Sequence, residues 1–266
     1  MLLRELDYAR PGSVEEAVQL LSAREDARAL AGGQSLVNVM KTRVAAPELV
    51  VDLNAIEALR GITDDGGALS IGAMTTYAAI VDSPEVAAAR PILAEVGRTI
   101  ADVQVRNRGT IGGNICSNDP TNHFPPLLAA LEAELTIRGP GGERTVSAEE
   151  FFEGVFVTAV HPGELLTSVR IAAKGDRRDG WAAATLGKDG TGIVNVAATV
   201  SAGTARIAIG CVAATPVVVT ASADETAVRD AVQAAQLDPP ADVHASADYR
   251  RHLAAVLAAR AVREAA

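Results

Sequence analysis

Two short loops of small residues constrain this chain more than any other feature of its sequence. Residues 31–36 read Ala-Gly-Gly-Gln-Ser-Leu, and residues 109–114 read Gly-Thr-Ile-Gly-Gly-Asn. Adjacent glycines lack Cβ atoms, so backbone N–H groups in such loops can converge on an anion at close range. Each loop alone is equally well explained as a tight turn. Two loops of similar chemistry, far apart in sequence, favour a diphosphate gripped from both sides.

Composition excludes several classes of function. The 266 residues are 48% hydrophobic and 21% charged, typical of a globular protein with one large unit or, as we expect, two smaller ones. The net charge of −9 argues against a nucleic-acid partner. No apolar run is long enough for a membrane span, and the opening residues Met-Leu-Leu-Arg-Glu-Leu-Asp carry charges where an export signal is apolar. Cys116 and Cys211 set no disulfide framework, so we expect reduced thiols in a cytoplasmic protein.

The N-terminal part of the chain predicts a small α/β lobe. A capping box from Ser13 to Glu16 opens a helix whose apolar residues share one face. A strand at 28–30 leads directly into the first glycine loop, and 49–53 is typical of a buried strand.

A second lobe follows, built from short helices and strands. Ser83 and Pro84 are an N-cap and first-turn pair, and the helix they open is expected to run to about Gly97. The other elements expected in this lobe are helices at 75–81 and 126–133, strands at 68–72, 134–138, 142–146 and 164–171, and a turn at 139–142.

The rest of the chain predicts a separate α+β domain. The polar, glycine-flanked stretch 174–180 is interpreted as a linker. Three strands of an antiparallel meander are expected at 181–186, 193–200 and 205–212, followed by helices at 224–236 and 247–263. The apolar side of the last helix is expected to pack into the core.

Several catalytic motifs are absent from the sequence. It contains no GxGxxG turn, no P-loop, no HExxH and no GxSxG. None of the four histidines is spaced as a metal ligand, and no cluster of cysteines could hold an iron–sulfur centre. We therefore expect neither a metal site nor a catalytic residue on this chain.

Four motifs together resemble one protein family in order and spacing. They are AGGQSL from Ala31, IGAMTTY from Ile71, RNRGTIGGNICSNDP from Arg106 and PGELLTSVRI from Pro162. They resemble the FAD-binding subunit of the molybdenum hydroxylases, which includes the medium subunit of aerobic carbon monoxide dehydrogenase and the FAD domain of xanthine dehydrogenase. The resemblance extends over essentially the whole chain.

The resemblance implies an α+β fold with two domains. The first would be a two-lobed FAD-binding domain of the vanillyl-alcohol-oxidase/PCMH type at 1–174, with lobes at about 1–54 and 55–174. The second would be a small α+β C-terminal domain at 180–266, with an antiparallel three-stranded sheet and helices.

The resemblance also implies a set of FAD contacts on this chain. The two loops would hold the diphosphate, through Ala31, Gly32, Gly33, Gln34, Ser35 and Leu36 in one and Gly109, Thr110, Gly112, Gly113 and Asn114 in the other. Ile100 would pack near the flavin, the backbone of Leu165 or Leu166 would lie beside its ring, and Lys188 would approach its polar edge. By residue type alone, Ile100 and the leucines are equally typical of a core, and Lys188 of a solvated loop.

Two positions depart from the family pattern. His123 stands where relatives commonly carry Asp near the ribityl chain, so polar recognition there is expected to be rebuilt, with Asp119 as the candidate. Gln34 stands where a related pattern has His, so a covalent histidyl link from this loop is excluded and FAD is expected to bind non-covalently.

The function implied is that of an oxidoreductase subunit that is not catalytically complete alone. FAD would take electrons from 2Fe–2S clusters on a small subunit, which receive them from a molybdenum cofactor on a large molybdopterin-binding subunit, and pass them to an external acceptor. The complex would be a cytoplasmic dimer of heterotrimers. Two alternatives stay open: a free-standing FAD-dependent reductase or oxidase of the same fold, and a non-catalytic nucleotide-binding scaffold.

Overall fold

The structure is a computed structural model that describes residues 3–187 and 190–265, and its first sheet is small and parallel. This sheet has the order β1-β3-β2. Its strands are β1 (Asp7–Ala9), β2 (Arg28–Leu30) and β3 (Leu49–Asp52), linked by helices α1 (Val14–Ser22) and α2 (Leu36–Lys41). Helix α1 begins where expected, because the Ser13 hydroxyl accepts the N–H of Glu16 at 3.1 Å. The expected capping box is incomplete, since the Glu16 carboxylate accepts the N–H of Gly12 at 2.8 Å and not that of Ser13. Two single-turn 3-10 helices, Leu53–Ala55 and Glu57–Leu59, lead onward from β3.

The second sheet is antiparallel and has five strands in the order β4-β5-β10-β6-β7. These strands are β4 (Ile62–Asp65), β5 (Ala68–Gly72), β6 (Glu134–Gly139), β7 (Gly142–Ser147) and β10 (Leu165–Ile171). The helices beside it are α3 (Tyr77–Asp82), α4 (Pro84–Ala89), α5 (Ile92–Arg98), α6 (Val103–Arg106), α7 (Ile111–Ser117), α8 (Phe124–Ala130) and α9 (Ala148–Phe151). A two-stranded ribbon of β8 (Phe152–Gly154) and β9 (Val157–Thr158) completes this part of the chain.

The single helix expected from Ser83 to Gly97 is wrong. Helix α4 ends at Ala89, Arg90 leaves the helical conformation with φ −150°, and α5 starts after Pro91. Proline lacks an N–H and excludes helical backbone in the residue before it, so one continuous helix cannot pass this point.

The third sheet has four antiparallel strands where three were expected. They are β11 (Arg178–Thr185), β12 (Gly192–Ser201), β13 (Thr204–Gly210) and β14 (Val217–Ser222), in that order. Strand β14 was missed, although its Val-Val-Val-Thr run has high β propensity. Helices α10 (Glu225–Ala234) and α11 (Ala247–Glu264) pack against this sheet. Leu257, Ala261 and Val262 of α11 are buried there, as expected.

The predicted linker is shorter than expected, because β11 already begins at Arg178. Asp179 is buried and pairs with the fully buried Arg90, with Nε and Oδ2 2.8 Å apart. Trp181 and Ala197 of the third sheet also belong to the core of the second sheet. The C-terminal elements therefore share a packed and charged interface with the elements that precede them.

Candidate functional site

The two glycine loops lie against each other in the structure. A Cβ atom added to Gly32 would lie 2.0 Å from the carbonyl oxygen of Arg108 and 2.8 Å from the Cα of Gly109. A Cβ atom added to Gly113 would lie 3.4 Å from that of Ala31. The loop after β2 and the loop between α6 and α7 thus meet, with no room for a side chain at Gly32.

The first loop offers backbone donors. It follows β2, and Gly33 has φ +74°, a left-handed conformation that glycine tolerates best. The N–H groups of residues 32–36 find no hydrogen-bond acceptor within the described part of the chain. Ser35 precedes α2 but its hydroxyl makes no capping bond. Five backbone donors and one hydroxyl are therefore available to a ligand.

The second loop is different, because five of its six backbone donors, including those of all three glycines, are already used. The N–H of Gly112 donates to Ala73 O at 2.9 Å, that of Gly113 to Thr110 Oγ1 at 3.0 Å, and that of Asn114 to Thr110 O at 3.0 Å. Its glycines serve close packing: a Cβ on Gly109 would lie 2.7 Å from the ring of Tyr77. This loop contributes a close backbone approach and side chains, not the free N–H groups that its glycines suggested.

Asn114 carries a polar atom that lacks a partner. Its Oδ1 is buried and has no hydrogen-bond partner in the described residues. Burial raises the pKa of Tyr77 well above its usual range, and a hydrogen bond from the Asn114 side chain opposes that rise. An amide oxygen can only accept a hydrogen bond, so the free atom needs a donor. A buried acceptor without a partner costs about 1–3 kcal/mol, so a hydroxyl group of a ligand would fit here.

Of the expected flavin-side residues, Ile100, Leu165 and Leu166 all pack into hydrophobic cores. The carbonyl of Ile100 accepts a bond from Arg106 Nη1 at 2.8 Å, and its side chain packs partly buried against the second-sheet core. Leu165 and Leu166 are buried in two different cores, on either side of β10. Strand β10 is linked to the second loop through Ala73, whose N–H donates to Thr167 O and whose carbonyl accepts the N–H of Gly112, both at 2.9 Å. Lys188 lies outside the described residues.

His123 replaces the expected carboxylate with a neutral, buried ring. Its Nδ1 lies 3.1 Å from the Thr99 hydroxyl, and its ring centroid lies 5.4 Å from that of Trp181. Burial lowers the pKa of His123 to about 4, so the imidazole carries no charge at neutral pH. The Asp119 Oδ1 atom accepts the N–H and the hydroxyl of Thr121 at 2.9 and 2.7 Å, within its own turn.

Residue patterns missed the polar groups behind the first loop. Tyr8, Asp52, Asn54 and Arg60 form a hydrogen-bonded chain that ends on the carbonyl of Ala31. A signal was present, since polar residues directly after a buried parallel strand commonly face a ligand site.

The described residues contain no cluster of His, Cys, Asp and Glu that could hold a metal ion. Among the helices of residues 3–187 and 190–265, none combines the length and the hydropathy of a membrane span.

Comparison with known proteins identifies the family. Residues 4–173 match the family described as the FAD binding domain in molybdopterin dehydrogenase. The chain belongs to this family. The resemblance inferred from the four motifs and the expected fold class are thereby confirmed, apart from the fourth strand of the C-terminal sheet.

Two relatives align over the whole chain. The carbon monoxide dehydrogenase medium chain of Afipia carboxidovorans is 41% identical, over 100% of this chain and 98% of its own length. The nicotine 6-hydroxylase medium subunit of Paenarthrobacter nicotinovorans is 34% identical, over 100% of this chain and 99% of its own.

Solved structures in the same family share the complete fold. A chain of Cu,Mo-CO dehydrogenase in its cyanide-inactivated form superposes with a TM-score of 0.94 at 39% identity, covering 100% of this chain and 99% of that one. Quinoline 2-oxidoreductase from Pseudomonas putida 86 gives a TM-score of 0.91 at 33% identity, covering 100% and 98%.

Proposed function

We propose that this chain binds FAD non-covalently and is the electron-transfer flavoprotein subunit of a molybdenum hydroxylase complex. One observation carries the proposal. The contact between the two loops brings five N–H groups without protein acceptors next to a buried carboxamide oxygen without a donor, within the described residues. That donor and acceptor set matches a ligand that carries both a diphosphate and hydroxyl groups.

The residues of the loops divide the binding work by chemistry. The N–H groups of residues 32–36 and the hydroxyl of Ser35 would hold the diphosphate oxygens, which accept hydrogen bonds and attract positive dipole ends. The Asn114 Oδ1 atom would accept a bond from a hydroxyl group of FAD, and Thr110 keeps a hydroxyl hydrogen free to donate. Once bound, the flavin supplies reversible electron uptake and release, while the chain provides binding and orientation.

The other contacts are assigned to the surroundings of the flavin ring. Ile100 and the backbone of Leu165 or Leu166 would lie beside the ring, and Lys188 would approach its polar edge. At His123 a neutral imidazole would replace the carboxylate common among relatives. We assign no polar contact to Asp119 Oδ1, because Thr121 already occupies that atom.

The chain is proposed to divide into an FAD-binding domain at 1–174, with lobes at 1–54 and 55–174, and a C-terminal domain at 180–266. The first two sheets fall within the former and the third sheet within the latter, except that β11 begins two residues before residue 180. FAD would lie between the two lobes, because each lobe supplies one of the loops in contact.

The partners are proposed from the names of the relatives, several of which are medium chains or medium subunits. A small subunit would carry 2Fe–2S clusters, and a large subunit would carry the molybdenum cofactor and select the substrate. The assembly would be a dimer of heterotrimers. We place it in the cytoplasm, since Cys116 and Cys211 are both free thiols.

The test is the flavin content of the purified full-length chain and of its complex. We expect one FAD per chain, with a visible absorption band that dithionite bleaches reversibly. A complex that lacks the band, or a band that cannot be bleached, would contradict the proposal. Turnover of a small molecule by the chain without partners would instead favour a free-standing reductase or oxidase.

A further inference from the structure

Three carbonyl groups of the first loop are held by carboxamide side chains. Ala31 O accepts a hydrogen bond from Asn54 Nδ2 at 3.0 Å, and Gly32 O accepts one from Gln34 Nε2 at 3.2 Å. Gln34 O in turn accepts one from Asn38 Nδ2 at 2.9 Å. The three donors come from a 3-10 turn, from the loop itself and from helix α2.

The carbonyls of Gly33 and Ser35 are held by the backbone of α2. Gly33 O accepts from Val37 N at 3.4 Å, and Ser35 O accepts from Val39 N at 3.1 Å. Every carbonyl from residue 31 to residue 35 therefore faces a donor of the protein. The N–H groups of residues 32–36, in contrast, face no acceptor in the described residues.

Peptide geometry joins these two observations. In a trans peptide the C=O and the following N–H point in opposite directions within one plane. A side chain that holds the carbonyl of residue 31, 32 or 34 consequently fixes the direction of the N–H of Gly32, Gly33 or Ser35. The carboxamides thus set where the loop aims its donors.

Asn54 is itself locked in a single orientation. Its Nδ2 also donates to Asp52 Oδ1 at 2.6 Å, while its Oδ1 accepts from Arg60 Nη2 at 3.3 Å. The Asp52 Oδ2 atom accepts the hydroxyl of Tyr8 at 2.5 Å. A flip of the Asn54 amide would set its oxygen against the Asp52 carboxylate and its N–H groups against a guanidinium.

The charge of Asp52 supports this arrangement. Burial raises the pKa of Asp52, but hydrogen bonds from Tyr8 and Asn54 outweigh burial, and the pKa lies below its usual value. The carboxylate is therefore ionised at neutral pH, and it is a stronger acceptor for Asn54 than a neutral group would be.

We propose that Asn54, Gln34 and Asn38 are positioning residues that orient the N–H donors of the first loop toward the diphosphate of FAD, a role that rests on the proposed function. Their side chains bind the carbonyl groups of the loop, and the N–H groups on the other side of each peptide stay free to bind the cofactor. For Gln34 this makes the expected diphosphate contact one of the backbone, because its side chain is bonded to Gly32 O.

The first experiment measures FAD affinity in the full-length chain by quenching of flavin fluorescence. Asn54→Ala, Gln34→Ala and Asn38→Ala are each expected to raise the FAD dissociation constant about tenfold, since each loses one orienting hydrogen bond. Gln19→Ala is the matched control: Gln19 is an exposed carboxamide on α1, and its side chain makes no hydrogen bond in the described residues.

A second variant guards against loss of fold at Asn54. Tyr8→Phe keeps an exposed ring and removes only the hydroxyl that holds Asp52, so a severalfold weaker affinity for FAD is expected in a protein that stays folded, with a melting temperature a few degrees lower at most. The control is Tyr249→Phe, another half-exposed tyrosine, on α11, which should leave the affinity unchanged.

A 31P NMR spectrum of saturating FAD separates positioning from general stability. The diphosphate resonances should shift in the three carboxamide variants and stay in place in Gln19→Ala, while the visible spectrum of the flavin is unchanged. Wild-type affinity and unshifted resonances in all three variants would overturn the positioning role and leave the proposed function intact. A wild-type chain that binds no FAD would overturn the proposed function, and the positioning role with it.

Discussion

Substitution of Gly32 by alanine tests the contact on which the site depends. The added Cβ would lie 2.0 Å from the Arg108 carbonyl oxygen, about 1.4 Å short of the 3.4 Å at which ordinary contact begins. The obstructing atoms belong to the backbone, so no side-chain rotation can relieve the clash. Gly32 does not have a positive φ, so the variant is strained by contact alone.

The expected magnitudes for Gly32→Ala follow from that displacement. Overpacking of this kind costs about 1–3 kcal/mol, which lowers the melting temperature of a chain of this size by about 2–10 °C. Loops about 1.4 Å further apart cannot both keep hydrogen bonds to one ligand. Loss of one bond to a charged group, worth about 1.5–3 kcal/mol, would raise the FAD dissociation constant about 10- to 100-fold.

The assay for Gly32→Ala combines thermal unfolding of the protein without FAD and a fluorescence titration with FAD. Gly12→Ala is the control, because a Cβ at Gly12 meets no atom within 4 Å and its φ is not positive. A Gly32→Ala protein with wild-type melting temperature and wild-type affinity would show that the loops are not locked together, and the argument for the site would fail.

Three further predictions concern buried groups. Arg90→Met leaves the Asp179 carboxylate buried without its cation and should cost about 3–5 kcal/mol in urea unfolding, most of it recovered by adding Asp179→Leu; no recovery would contradict the pairing. The pKa of His123 is about 4 when folded, against 6.5 when unfolded, so between these values the unfolded state binds more protons. The free energy of unfolding should therefore fall by about 2 kcal/mol from pH 7.5 to pH 5, and His123→Gln should remove that part of its pH dependence. An unchanged pH dependence in His123→Gln would refute the lowered pKa of His123. Burial raises the pKa of the partly buried Cys116 and of the buried Cys211 to about 12, so iodoacetamide at pH 8 should label Cys116 slowly and Cys211 only after unfolding; rapid labelling of both in the folded protein would contradict the raised pKa values.

Local sequence signals determined much of the secondary structure. Thr76 and Ser83 cap helices through their own hydroxyls, and the glycine-rich turn at 139–142 joins β6 to β7 as expected. Such signals act over a few residues, so they can be recognised in the sequence without knowledge of the rest of the fold. Pro91 was an equally clear signal for a helix boundary, and the prediction of one continuous helix across it was an error of interpretation.

The direction of the backbone donors was decided by tertiary structure. The glycines of both loops permit an N–H cradle, but in the second loop the carbonyl of Ala73, from another element, takes the N–H of Gly112. In the first loop Asn54 holds the carbonyl of Ala31 from 23 residues away. The glycines determine which backbone conformations the loops can adopt. Packing against residues far away in the sequence selects one of these conformations.

Tertiary structure also decided which charges pair and which loops come into contact. Asp179 lies in a polar stretch typical of a linker, yet its side chain is buried in an ion pair with Arg90. Nothing in the sequence marks Gly32 and Gly109 as neighbours, and only the fold brings their backbones into contact. The sequence by itself determined where the chain turns, which residues cap its helices and which loops suit an anion. Only the fold decided which loops meet and which donors stay free, because these depend on contacts between residues far apart in the chain.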